Sequence, residues 1–155
     1  MRRFNLFDGP MERDDDEPPG YGGLYARVSR ELGGRELALK LFELEPDQSI
    51  CPYHYEYVEE WLVVLAGRPT VRHPGGEDVA APGDAICFPA GPEGAHKVTN
   101  NGTGTARMIM FSDGREPSVA VYPDSDKLGI WTGNEPDHII IRRSSGVGYW
   151  DGEGG

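Results

Sequence analysis

Short runs of apolar residues, most of them alternating with polar ones, recur along this chain and are separated by turn residues every eight to twelve positions. Alternation with a period of two places successive side chains on opposite faces of a strand. The pattern predicts strands at about 23–31, 36–45, 50–57, 60–66, 69–73, 77–80, 85–89, 95–100 and 105–112. In the second of these, Leu37, Leu39 and Leu41 share one face, while Lys40 and Phe42 share the other. Turns are marked by Gly33 and Gly34, by Pro74, Gly75 and Gly76, and by the run from Asn100 to Gly104. No segment has a helical period. The best helical candidate, residues 20–32, opens with glycines and then alternates Leu24, Ala26 and Val28, so it reads as extended.

A chain of 155 residues fits one domain with a real core, and its 22 glycines and 13 prolines suit an all-β sandwich or barrel. Three parts are expected: an N-terminal extension and acidic connector (1–20), a β-barrel (21–113), and a C-terminal extension docked on the barrel (114–155). Within the first part, residues 9–20 are rich in proline and acid and read as a solvated connector. Within the last, 119–122, 128–131 and 139–141 are apolar enough to form edge strands or a strap, and burial is expected for Tyr149 and Trp150. A regular strand over 50–57 would put Tyr53, Tyr55 and Tyr57 on its outer face. Phe4, Leu6 and Phe7 are then expected to cover that stripe, with a homodimer contact as the alternative.

Charge excludes some partners. With 15 basic and 26 acidic residues, the net charge of −11 repels nucleic acid and anionic membranes. No stretch of eighteen apolar residues and no apolar leader is present, which predicts a cytoplasmic protein. Cys51 and Cys87 are too few for a disulfide framework and read as buried free thiols, with Cys51 on the face opposite His54. His73 and His138 lie in turn-rich stretches and read as exposed loop residues.

The chemistry concentrates in two clusters. His54 and Glu56 lie two apart on a predicted strand and so share a face. Glu60 opens the next apolar run, and a tight hairpin would fold its carboxylate back toward them. His96 with Asn100 follows the loop containing Pro89 and Gly91 and would approach from across the fold.

Over roughly residues 36–112 these residues resemble the two motifs of the cupin superfamily. His54, Glu56, Glu60 and Gly67 resemble the first, with Glu56 where a second histidine usually stands. Gly83, Pro89, Gly91, His96 and Asn100 resemble the second, with four residues instead of two between Gly91 and His96. The fifteen residues Arg68 to Pro82 between the motifs suit a small single-domain cupin.

The resemblance implies a double-stranded β-helix (jelly-roll) barrel carrying a divalent metal, with His54, Glu56, Glu60 and His96 as its ligands. Mixed imidazole and carboxylate donors suit manganese, iron(II), nickel or zinc. If Glu56 turns away, the remaining two histidines and one carboxylate resemble a facial triad with open positions. Glu56 would then serve as a general base. The function expected is that of a metal-dependent enzyme, an oxidoreductase, isomerase or lyase acting on a small organic molecule. The alternative is a noncatalytic cupin that binds or senses a small ligand, its metal structural or absent.

Overall fold

A computed structural model describes residues 1–154 as an all-β molecule with one short helix. Twelve strands follow the chain: β1 (Leu24–Ala26), β2 (Leu37–Leu44), β3 (Tyr55–Glu56), β4 (Glu60–Ala66), β5 (Thr70–His73), β6 (Gly76–Val79), β7 (Ala85–Phe88), β8 (Lys97–Thr99), β9 (Ala106–Asp113), β10 (Ser118–Tyr122), β11 (Lys127–Trp131) and β12 (Ile139–Arg142). All pair antiparallel, in three sheets ordered β1-β2-β9-β4-β7, β12-β11-β10-β3 and β6-β5-β8. The two smaller sheets meet along residues 49–56. Ser49 bridges to Thr99 on β8 and His54 to His96 just before it, and β3 pairs with β10. The result is a double-sheet jelly roll whose sheets are not closed into a continuous barrel.

The principal core lies between the layers. Leu44, Leu62, Val64, Phe88, Ala106, Met108 and Met110 from the five-stranded sheet pack against Val71 and Val98 of the three-stranded one. Alternation is regular in β4 and β9, so Leu62 and Val64 point inward with Met108 and Met110, and Ile109 and Leu65 point outward. At the end of β4 a register shift between Val64 and Ala66 brings Gly67 against β9. There φ is +77°, and a Cβ atom would lie 2.6 Å from the Ala106 Cα, so only glycine fits without displacement.

Several expectations change. The segment 23–31 is not one strand: after β1 the chain turns into helix α1 (Val28–Leu32), which buries Val28. Gly33 ends the helix in a left-handed conformation, with the Gly33 and Gly34 N–H groups donating to the Arg30 and Ser29 carbonyls. Phe4, Leu6 and Met11 pack with Ala26, Val28 and Leu41 on the outer face of the large sheet, not against the three tyrosines. Arg107 holds this segment by donating to the Leu6 and Phe7 carbonyls and pairing with Glu43. The acidic connector is also tied down. Glu12 pairs with Arg27 at 2.9 Å and bridges to Tyr25, whose hydroxyl donates to Asp14.

The stretch 50–57 is bent, and only Tyr55 and Glu56 form regular strand. Tyr53 is therefore buried, under the Arg72 guanidinium at 3.9 Å, while Tyr57 is exposed. Toward the C-terminus β10 joins β3 directly, and β11 and β12 extend that sheet outward. Tyr149 and Trp150 are exposed, their rings set edge to face against each other and not buried.

Candidate metal centre

Glu60 is the first residue of β4 and shares the inward face with Leu62 and Val64. Its neighbour Glu59 points the other way and accepts from the Trp61 indole N–H at 2.6 Å. A bent segment delivers His54, and a 3₁₀ turn (Pro92–Gly94) delivers His96. The two histidines exchange backbone hydrogen bonds, His54 N to His96 O at 3.0 Å and His96 N to His54 O at 2.7 Å. That pairing puts both imidazoles on one side, with ring centroids 4.7 Å apart. Phe88 stacks on His96 at 3.7 Å, nearly parallel, and Tyr122 stacks on His54 at 5.9 Å.

His54 Nδ1 lies 3.0 Å from the Pro52 carbonyl, and His96 Nδ1 lies 2.9 Å from the Gly94 carbonyl. An Nδ1–H donated to each carbonyl leaves the Nε2 lone pairs facing the interior, the tautomer a metal-bound imidazole needs. Both Nε2 atoms converge on one carboxylate oxygen of Glu60, at 3.6 Å from His54 and 3.8 Å from His96. The three donor atoms all lie within 4.8 Å of one another. His96 Nε2 is buried with no hydrogen-bond partner. A buried polar atom without a partner is costly, and an ion at the shared centre would satisfy it. Bonds of about 2.0–2.2 Å need only a small inward movement of these atoms. The residues present therefore fit a divalent cation.

The electrostatics agree at His96 and Glu60. Burial, and then the neighbouring His54, push the pKa of His96 down to about 4, which keeps it a neutral ligand at ordinary pH. Burial opposes ionisation of Glu60, but the two imidazoles outweigh it and hold the carboxyl below its ordinary value. Burial likewise pushes His54 down, yet Cys51 and Glu60 beside it win and raise it to about 11, so without an ion His54 holds a proton that a bound cation would displace.

Glu56 stands outside the group of three converging donors. Burial and then the charge of Glu60 raise its pKa, with His54 and Lys40 acting in the opposite direction. Asn100 is fully buried but serves the fold. Its amide N–H groups donate to the Leu44 and Gly104 carbonyls at 2.8 Å, and its carbonyl accepts from Gly102 N.

Two neighbours of the site were not expected. Tyr122, on β10, has its phenol pKa pushed up to about 12 by burial and then by Cys51, Glu56 and Glu60. Cys51 is half-buried, not on the face away from His54, with Sγ 3.5 Å from His54 Nδ1. The bend at 50–53 defeats the strand alternation that would have separated them. Cys87 is exposed, not buried. His73 ends strand β5 and is half-buried against Asp78 at 3.0 Å, not an exposed loop residue, whereas His138 is exposed.

The profile of the cupin domain family matches residues 40–112. No curated protein matches the chain. Among solved structures, a protein provisionally named a sugar phosphate isomerase, from Acidithiobacillus ferrooxidans, superposes with a TM-score of 0.80 at 23% identity, over 91% of this chain and 90% of that one. A sugar phosphate isomerase of the cupin superfamily from Silicibacter pomeroyi gives 0.78 at 23% identity, over 97% and 98%. The polyketide cyclase RemF from Streptomyces resistomycificus gives 0.60 at 23% identity, over 76% and 83%. At these identities the likeness is one of fold.

Proposed function

The chain carries a cupin domain, and from that premise we propose that it is a metal-dependent enzyme acting on a small organic molecule, with His54, Glu60 and His96 as the metal ligands. The observation that carries this reading is the buried, unpartnered His96 Nε2, aimed with His54 Nε2 at one Glu60 oxygen. Two imidazoles and one carboxylate suit manganese, iron(II), nickel or zinc and leave coordination positions open for a substrate. When bound, such an ion polarises a substrate oxygen or a water molecule.

The remaining residues divide the work. The Pro52 and Gly94 carbonyls fix the imidazole tautomers, and Phe88 and Tyr122 wall the rings off from water. Glu56 is the general base of the reading. Its raised pKa brings it nearer to neutrality, where a carboxylate both accepts and returns a proton. Proton transfer on a small oxygenated molecule is the chemistry this arrangement supports best, as in an isomerase or lyase. The names of the two fold relatives called sugar phosphate isomerases accord with that class.

Metal analysis of protein purified without chelator tests the reading. One divalent ion per chain is expected, and its loss in the His54→Ala/His96→Ala double variant. Wild-type protein that carries no metal and takes up none on reconstitution would overturn it. For the catalytic part, metal-loaded protein is assayed against keto acids, catechols and sugar phosphates, with Glu56→Gln expected to lose turnover while keeping its metal. Turnover undiminished in that variant would remove Glu56 from the base role.

A further inference from the structure

The chain is strongly acidic, yet one cleft on it is basic. Arg2, Arg27, Arg30, Arg35 and Lys40 line a cavity of about 630 Å³ in which Glu116 is the one carboxylate. Arg27 is paired with Glu12, but Arg2, Arg30, Arg35 and Lys40 form no ion pair among the described residues. Clustering four uncompensated cations costs mutual repulsion, and an anion seated among them relieves it.

The fold explains where the cleft lies. Strand β1 stops at Ala26, opposite Leu41, so the β2 edge from Leu37 to Lys40 has no strand beside it. Helix α1 packs there instead, with the Ser29 hydroxyl accepting from Leu39 N. The notch between α1, β2 and Gly114 is the cleft.

The notch also leads inward. Ala38 and Lys40 share the inner face of β2 with Phe42 and Leu44. Ala38 is in register with Ser112 on β9, which is in register with Glu60 on β4. Two strand spacings separate Ala38 from Glu60, roughly 10 Å. The charge of Lys40 is felt at both Glu56 and Glu60.

We propose that this notch binds the phosphate of a small phosphate monoester, gripped by Arg30, Arg35, Lys40 and Arg2, while the ester's carbon body extends along the inner face to the centre formed by His54, Glu60 and His96. The grip suits a dianion, because guanidinium groups offer paired donors to phosphate oxygens. That a ligand reaches the centre rests on the metal reading above; the anion site stands on the notch alone.

The test uses glycerol phosphate as the probe and follows its binding by amide NMR shifts. Binding is expected in wild-type protein, weakened at least about tenfold in Arg30→Gln/Arg35→Gln and by added salt, as for charge-assisted contacts. It is expected to be unchanged in Arg142→Gln/Arg143→Gln, a control on exposed cations outside the cleft. Arg30→Lys/Arg35→Lys is expected to recover part of the loss. In Mn²⁺-loaded protein the phosphorus nucleus of the bound ester should relax faster than in the metal-free form. Binding that is absent, or that is indifferent to Arg30 and Arg35, overturns the anion site. Binding that depends on them but shows no phosphorus relaxation in protein of proven Mn²⁺ content overturns the reach to the centre. Protein that takes up none of manganese, iron(II), nickel or zinc yet binds the ester through Arg30 and Arg35 sinks the metal reading and supports the notch.

Discussion

Glu56 and Gly94 show how single residues set the chemistry of the centre. Folding raises the pKa of Glu56 through burial and the nearby Glu60 charge, so the folded state disfavours its ionised form. Below the unfolded carboxyl pKa the group is neutral in both states and has no effect. As pH rises through the raised folded value, ionisation costs stability. Glu56→Gln should therefore raise the melting temperature of metal-free protein at pH 7 by about 1–3 °C, and the difference should close below about pH 4. Thermal melts at the two pH values check this. A loaded cation would offset the same repulsion, so the gain should shrink in metal-loaded protein. Gly94 acts through its backbone. Its carbonyl accepts from His96 Nδ1, and a Cβ there would lie 1.8 Å from the Pro89 carbonyl oxygen. Gly94→Ala must move the 3₁₀ turn and with it His96. Metal affinity, measured by competition with a chelator, should fall by about 10–100-fold, the usual effect of disturbing a ligand's hydrogen-bond partner.

At the level of the elements, β4 carries both the core and the site. Its inward row starts with Glu60 and continues through Leu62 and Val64, and it ends against β9 at Gly67. Gly67→Ala combines an unfavourable φ with a collision at Ala106, and should cost about 2–4 kcal/mol in denaturant unfolding. Much of this was legible in the chain. The alternation of Leu62 and Val64 fixes the direction of Glu60, and strands β2, β4 and β9 fall where the apolar runs predict them. Helix α1 was not legible, because its five residues are too short for a period and Leu24, Ala26 and Val28 continue a strand alternation. The glycine pair at 33 and 34 was the available stop signal. Tyr122 and Cys51 escaped for different reasons. The β10 to β3 pairing joins residues some 65 apart in sequence, which no local pattern encodes, and the bend before His54 turns Cys51 to an unexpected side. Asn100 had a readable position but a different job, since its side chain is consumed by the turn that follows it.

Across the whole molecule, the centre draws one residue from beside each sheet. Glu60 belongs to the five-stranded sheet, His96 immediately precedes β8 of the three-stranded one, and His54 immediately precedes β3 of the four-stranded one. An ion held by all three would bind the folded chain and not the unfolded one. At a thousandfold excess over its Kd it should stabilise the fold by about 4 kcal/mol. Chelator titration followed by thermal melts measures that difference. The same arrangement has a mechanical meaning. The two smaller sheets touch along residues 49–56, through β3 and a few bridges, one of which is the His54 and His96 pair itself. The centre is thus the clasp of the sandwich, and stripping it of metal should loosen amide protection first in β3, β8 and β10, along the seam it fastens, before the broad ladder of β2, β9 and β4 gives way.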